Sequence, residues 1–429
     1  MTEETVSLDI ESRAPWWRSI GPALITACVV FGPGSLLVSA NIGANYGCEL
    51  LWMLIMTGVL MGTYMTMGAR IGVVGGATPC TLIARRLGRV FAVVIGLNLC
   101  LICTTFQFAN NLAVAAAAET LVPKIGAYWI LLLLNGLIIT FIFTAKRIYH
   151  VIERIMKTMV GVILICFVIN LVIAAPDVLA IIKGLIPGWP EAISLGIPRK
   201  ISGVVHDPMI LVASLLGTTF SVSGAFFQGN LVREKGWTIK EYTHGIGDSI
   251  VGVGALTCVS IIIMITTATV IRGMPADNIG TLAQSLRPLL GSTAHIIFCI
   301  GLLAVAMNPF LINAMIGGTI LADGIGRPAK LSDPLPRRFT TVVLLVGMVI
   351  AMLALKSGEK PVKLIIFGQA LTVLGNPLMA VTMLWLANRK DIMGDRRNTI
   401  VLNILGGLGL AVVVLMAVRV LFLLVLKLS

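Results

Sequence analysis

Long apolar segments alternate with short polar connections along almost the whole chain. Windows of about 20 apolar residues, the length of a helix that crosses a bilayer, predict eleven membrane spans. These spans lie at 20–46, 49–73, 90–120, 126–145, 148–175, 208–232, 244–271, 292–322, 339–356, 363–387 and 399–427. The pattern therefore predicts an all-α polytopic membrane protein.

The first and sixth spans are each interrupted near the middle, at 32–35 (Gly-Pro-Gly-Ser) and at 221–224 (Ser-Val-Ser-Gly). A membrane helix satisfies its own backbone hydrogen bonds, so a break is costly unless the freed groups line a cavity or hold a ligand. Two breaks at corresponding places in two halves of a chain are typical of a transporter binding site near the bilayer midplane. The alternative interpretation is a packing kink at each position.

The longest connection, 176–207, is predicted to be irregular because of its prolines, and it divides the first ten spans into five plus five. Since five is odd, the two halves enter the membrane from opposite sides, which predicts an inverted repeat of 20–175 and 208–387. The remaining parts are an N-terminal tail at 1–19 and an additional helix at 399–427. Lysine and arginine concentrate in the tail and in alternate loops. By the positive-inside rule this places the N-terminus in the cytoplasm and the C-terminus outside a prokaryotic inner membrane.

Composition narrows the function classes. The chain is 57% hydrophobic and only 12% charged, and its formal net charge is +13. The loop asymmetry accounts for this basic balance, so no nucleic-acid partner is expected; the lipid bilayer is. No nucleotide fingerprint or catalytic constellation is present. We therefore expect a secondary transporter that has no cofactor and is neither an enzyme nor an ATP-driven pump.

The breaks carry the predicted site. Ser35 is expected to cap a half-helix from Leu36 to Asn45, and a second half-helix is expected to begin at Gly224. Each half-helix N-terminus presents unpaired N–H groups and about half a positive charge. We predict that the substrate-binding residues are Gly32, Pro33, Gly34, Ser35, Ser221, Val222, Ser223 and Gly224.

Six of the uncharged amide side chains within the spans suggest a polar pathway, although each one alone fits a helix-to-helix hydrogen bond. They are Asn110, Asn111, Gln228, Asn308, Gln369 and Asn376. A transition-metal site normally needs carboxylate, imidazole or sulfur ligands. The two breaks contain none of these, so no metal ligands are predicted there.

Five stretches resemble the NRAMP family of divalent-metal transporters over essentially the whole chain. Ile20–Trp52 resembles the first helix of that family and Arg70–Gly75 the end of its second helix. Leu216–Val232 is similar to the sixth helix, Gly301–Gly326 to the eighth, and Gln369 matches a glutamine of the tenth. The resemblance implies a LeuT-type fold, with broken helices 1 and 6, and transport by alternating access.

The departures from the family pattern concern its ligands. NRAMP metal transporters carry Asp-Pro-Gly-Asn in the first break and Met-Pro-His in the sixth, where this chain has Gly-Pro-Gly-Ser and Ser-Val-Ser. A family histidine falls on Gln228, and acidic residues of the third helix fall near Asn110 and Asn111. This branch therefore lacks the family's metal-binding motifs.

The loss of acid at two positive helix ends favours a small anion as the substrate, with bicarbonate as a plausible identity. Two alternatives stay open: a divalent cation, Mg²⁺ or Mn²⁺, and a receptor that no longer transports. The expected partner is a small inorganic ion, and a coupling ion is a further candidate partner.

Overall fold

The computed structural model describes residues 31–122, 124–144, 161–162, 164–191, 193, 196–201 and 204–429. The predicted tail at 1–19, the first part of the first span and most of the first half of the fifth span lie outside the described residues.

The described chain is almost entirely helical. Before residue 199 the helices are α1 (Pro33–Tyr46), α2 (Leu51–Val74), α3 (Pro79–Leu87), α4 (Arg89–Leu121), α5 (Ala127–Thr144), α6 (Leu164–Ala174) and α7 (Val178–Leu185). Two short strands follow, β1 (Arg199–Ile201) and β2 (Val204–His206). The later α-helices are α8 (Ile210–Thr219), α9 (Val222–Glu234), α10 (Ile239–Val270), α11 (Ile279–Ala283), α12 (Arg287–Leu290), α13 (Ala294–Gly324), α14 (Pro334–Leu355), α15 (Pro361–Leu371), α16 (Asn376–Asn388), α17 (Lys390–Met393) and α18 (Ile400–Leu428). Four 3₁₀ turns lie at Gln284–Leu286, Gly291–Thr293, Thr372–Gly375 and Gly394–Arg396.

The apolar runs form these helices because a chain in lipid must satisfy its backbone hydrogen bonds within each segment. By length and composition, 8 helices within the described ranges could cross a membrane, or up to 9 if a bent pair is one span. Helix is present at each predicted span, which confirms the all-α membrane class. The count of eleven crossings stays a prediction.

The long connection between the fifth and sixth spans is more ordered than the sequence suggested. Its prolines predicted irregular chain, yet it holds α7, which meets α6 at a bend of 118°. The carboxylate of Asp177 caps α7 by accepting the N–H of Leu179 at 2.8 Å. Further along, β1 and β2 pair as an antiparallel hairpin in which Arg199 lies opposite His206.

The two halves of the sixth span, α8 and α9, are held by neighbours on several sides. Phe220, between the two helices, is fully buried and stacks edge-on against Tyr64 of α2, with ring centroids 5.3 Å apart. The Tyr64 hydroxyl donates to the carbonyl of Gly406 in α18 at 2.8 Å. On α8, the Ser214 hydroxyl donates to the carbonyl of Ile366 in α15 at 2.7 Å. These contacts fix where α8 ends.

The tenth span is a single predicted segment that the structure divides into three. α15 is followed by the 3₁₀ turn Thr372–Gly375 and then by α16. A 3₁₀ stretch inside a helix often marks a strained or functional place. Gln369 and Asn376 stand on either side of this turn.

Candidate functional site

The first break is the start of α1. Gly32 takes the N-cap position with extended backbone (φ −107°, ψ 166°), and Pro33 is the first helical residue. Proline suits that position because its fixed φ is helical and it has no N–H to leave unpaired. No side chain caps this end among the described residues, so the N–H groups of Gly34 and Ser35 have no helical acceptor. The prediction that Ser35 caps a helix from Leu36 is wrong, because Pro33 starts the helix earlier.

The second break consists of Phe220 and Ser221, between the end of α8 and the start of α9. The predicted break at 221–224 is therefore displaced toward the N-terminus. Val222, Ser223 and Gly224 form the first turn of α9, with Ser221 as the N-cap. The helix resumes this early because two residues, Phe220 (φ −101°, ψ 65°) and Ser221 (φ −80°, ψ 86°), are enough to redirect the chain.

Hydroxyl groups gather at the second break. The side-chain oxygens of Ser221 and Ser223 lie 3.0 Å apart and share one hydrogen bond. Such a pair holds two hydroxyl hydrogens and uses one of them internally, so the other can donate to a ligand. The Thr219 side-chain oxygen, at the end of α8, is buried without a partner in the described part of the chain. The break thus offers donors and acceptors but no charge.

Gln369 joins the first break to α8. Its side chain is 1% exposed. A Cβ atom on Gly34 would lie 2.2 Å from the Gln369 amide nitrogen, and one on Gly217 would lie 2.1 Å from the Gln369 carbonyl oxygen. At Gly217 only glycine allows this approach to the backbone, whereas a Cβ at Gly34 would require the Gln369 side chain to shift. The side-chain oxygen of Gln369 is buried and has no hydrogen-bond partner within the described residues.

Asn376 joins the same segment to the second break. Its side-chain nitrogen donates at 3.4 Å to the carbonyl of Phe220, which also accepts the N–H of Val222 at 3.1 Å. Its side-chain oxygen is buried and, like that of Gln369, has no partner in the described ranges. The segment 369–376 therefore contacts both breaks, which brings two of the predicted pathway amides to the predicted site.

Asn110 and Asn111 form a separate cluster on α4. Asn111 donates to the carbonyl of Gln107 and Asn110 to its side-chain oxygen, at 2.8 and 3.4 Å. Asn135 of α5 donates to the side-chain oxygen of Asn111 at 2.8 Å. This cluster links helices, as the alternative interpretation held. Asn135 was missed, although a lone asparagine in the apolar span 126–145 was its signal.

The other two predicted pathway amides lie on α9 and α13. Gln228 is buried on α9, and Asn308 is a helical residue of α13 whose side chain is outside the described part of the structure. Its neighbour Pro309 interrupts the backbone bonding of α13 and approaches the first break, since a Cβ on Gly32 would lie 3.3 Å from the Pro309 ring.

Carboxylates are buried elsewhere. Asp323 accepts hydrogen bonds from Thr78, Thr81 and Asn230 at 2.7 to 3.1 Å, and Asp207 pairs with Arg419. In the sequence both acids stand at the ends of predicted spans, and their partners come from distant parts of the chain. Within the described ranges no three His, Cys, Asp or Glu residues are grouped as a metal site.

The sequence matches the family model described as natural resistance-associated macrophage protein-like over residues 23–423. The divalent metal cation transporter MntH of Acidiphilium cryptum is 25% identical, over 97% of this chain and 95% of that protein. MntH of Deinococcus radiodurans is 24% identical, over 87% of this chain and 83% of that protein.

Solved structures agree with the sequence matches. A manganese transporter of Eremococcus coleocola has a TM-score of 0.73 at 19% identity, covering 98% of this chain and 88% of that chain. A transporter of the nucleobase-cation-symport-1 family, in a closed conformation, has a TM-score of 0.54 at 13% identity, covering 96% and 90%. These likenesses confirm the LeuT-type fold that the resemblance implied.

Proposed function

This chain belongs to the NRAMP family, an integral-membrane family of secondary transporters rather than enzymes, and we propose that the substrate it carries is a small anion. The observation that carries the proposal is the pair of helix N-termini at Gly32 and Ser221, neither of which has an acidic residue in its first turn. Each N-terminus carries about half a positive charge. In a water-poor site, such ends attract an anion and repel a dication.

The uncharged groups of the site suit an oxyanion that also has a hydrogen to donate. N–H groups of Gly34 and Ser35 and a hydroxyl of the Ser221–Ser223 pair supply donors. The side-chain oxygens of Gln369 and Asn376 are buried acceptors without a partner in the described residues. A buried acceptor left unmatched costs about 1 to 3 kcal/mol. Bicarbonate, which both accepts and donates, meets this set better than chloride or nitrate, which only accept.

A divalent metal cation is the second candidate, and the names of the relatives favour it. The curated relatives are divalent metal cation transporters. The same amide and hydroxyl oxygens are hard ligands, which suit Mg²⁺ with part of its water shell better than Mn²⁺ or Fe²⁺. This candidate requires a dication to sit at two positive helix ends without a carboxylate, which is why we place it second.

One flux experiment separates the two candidates. The purified full chain is reconstituted into liposomes, and uptake of bicarbonate, chloride, nitrate and formate is compared with uptake of Mg²⁺ and Mn²⁺. Protein-free liposomes give the leak. We expect saturable bicarbonate flux and no saturable metal flux. Saturable Mg²⁺ or Mn²⁺ flux without anion flux would reverse the assignment.

The membrane arrangement is part of the proposal. It comprises a cytoplasmic tail at 1–19, inverted repeats at 20–175 and 208–387, and a last helix at 399–427 with an extracytoplasmic end. The membrane is a prokaryotic inner membrane, and a coupling ion accompanies the substrate. Labelling of single cysteines in the loops of intact cells tests this orientation.

A further inference from the structure

A cavity of about 710 Å³ opens beside α1, α8 and α15, on the side away from the breaks. Asn41 and Asn45 of α1, Ile210 of α8 and Ile366 of α15 line it. Ile366 precedes Gln369 by three residues on one helix face, a rise of about 4.5 Å. The floor of the cavity is therefore about one helical turn from the amide that contacts the first break.

Lysines dominate the charge of the cavity wall. Lys200 comes from the hairpin, Lys363 from α15 and Lys427 from α18, and all three are exposed and form no ion pair within the described ranges. The ammonium group of Lys427 lies over the ring of Phe367, 4.0 Å from its centroid. The neutral ring does not cancel this charge, and both residues line the cavity. His206 also lines the wall.

Two of the three carboxylates in the wall are already matched. Arg419 donates to Asp207 from its Nε at 2.8 Å and also from Nη2. Lys360 forms an ion pair with Asp277, and its hydrogen bond lowers the pKa of that carboxyl below the ordinary value. Glu359 is the remaining lining acid, and it is exposed. Among the described residues, three lysines and one carboxylate of the cavity wall thus have no ion-pair partner.

From this arrangement we infer that the cavity is an anion-collecting vestibule, a weak second site where a small anion gathers before it reaches the breaks. A concave surface of one charge sign with low-dielectric walls focuses the field and raises the local concentration of the opposite ion by about 10- to 1000-fold. A vestibule of this sign would oppose a dication. The inference rests on the proposed function for its substrate, but its charge is testable by itself.

The first arm of the test measures the potential of the cavity without transport. Leu426→Cys places a thiol in the wall, and Leu428→Cys places a matched thiol outside it at the end of the same helix. Modification rates by an anionic and a cationic methanethiosulfonate reagent are compared, after subtraction of the rate without the introduced cysteine. We expect the anionic-to-cationic ratio to be about tenfold higher inside the cavity, and to fall to the control value at about 0.5 M salt.

The second arm measures use of the vestibule by the substrate. The triple variant Lys200→Gln, Lys363→Gln, Lys427→Gln is compared with a control that loses the same charge elsewhere, through Lys124→Gln, Lys183→Gln and Lys356→Gln, at positions that are exposed and outside this cavity. The vestibule variant should raise the KM for bicarbonate about tenfold at low salt with little change in maximal rate. The control should leave the KM unchanged.

The outcomes are distinct. If the anionic-to-cationic rate ratio is the same at the two thiols, the cavity does not collect anions, whatever the substrate is. A high ratio with equal KM in both triple variants overturns its role in substrate entry. Absence of anion flux in the unmodified protein refutes the proposed function instead, and the reagent ratio still decides whether the cavity collects anions.

Discussion

Replacing Gly32 with aspartate separates the charge of the site from the stability of the fold. Gly32 is the N-cap of α1, and its φ of −107° suits any residue. A Cβ there would lie 3.3 Å from the Pro309 ring, a close contact that needs a shift of a few tenths of an ångström. Aspartate is a better N-cap than glycine by a few tenths of a kcal/mol. We therefore expect Gly32→Asp to fold with a melting temperature near that of the unmodified protein.

The same change should weaken anion binding. The new carboxylate would accept the free N–H groups of the first turn of α1 and add a negative charge beside the substrate. Two like charges about 4 Å apart repel by about 1 kcal/mol in water and about 4 kcal/mol near a protein surface. At about 1.4 kcal/mol per tenfold change, the affinity should fall roughly 5- to 700-fold.

The assay is bicarbonate flux in proteoliposomes, with KM and melting temperature measured on the same preparations. Gly32→Asn is the matched control, because asparagine caps the helix equally well without a charge. We expect Gly32→Asn to transport at a KM within a fewfold of the unmodified protein. Unchanged bicarbonate KM in Gly32→Asp would refute the placement of the anion at this helix end. A gain of metal uptake in that variant, with loss of anion flux, would agree with the charge argument.

Three other outcomes are expected. Ser223→Ala removes one hydroxyl of the Ser221–Ser223 pair. It should raise the KM for bicarbonate about 10- to 150-fold, because a hydrogen bond to a charged ligand contributes about 1.5 to 3 kcal/mol. Ser35→Ala is the companion variant, and an unchanged KM in both variants would exclude these hydroxyls as ligands. Gly217→Ala should prevent stable folding, because its Cβ would lie 2.1 Å from the backbone oxygen of Gln369; a normal melting temperature would contradict that contact. Micromolar Mn²⁺ should show no saturable uptake, because residues 32–35 and 220–224 include no carboxylate, imidazole or sulfur ligand. Scintillation counting of ⁵⁴Mn in proteoliposomes checks this.

The sequence was sufficient for the fold class, and it placed a helix start close to Pro33 but three residues too late, at Leu36. Gly32, Pro33 and Gly34 indicate a helix boundary, because proline and glycine determine the backbone conformation at their own positions. The second break has no such marker. Serine is compatible with a helix start, an N-cap or a turn, so the sequence could not assign Ser221 and Ser223 to different roles.

Contacts between distant helices were beyond the sequence. Gln369 and Asn376 were recognisable as buried amides, but their hydrogen-bond partners depend on how α15 and α16 lie against α8. The pairing of Asp207 with Arg419 joins residues 212 positions apart in the chain. Charge and hydropathy patterns report burial and not partners, so such pairs become visible only when the helices are placed.

A change of helix type at the 3₁₀ turn Thr372–Gly375 would alter both the length and the rotation of the tenth span. A 3₁₀ helix advances about 2.0 Å and 120° per residue, against about 1.5 Å and 100° in an α-helix. Conversion of these four residues to α-helix would shorten the segment by about 2 Å and turn α16 by about 80° relative to α15. Asn376 would then swing away from the Phe220 carbonyl while Gln369 kept its contact with the first break. A change of helix type confined to these four residues would thus separate Asn376 from the second break and leave Gln369 at the first break.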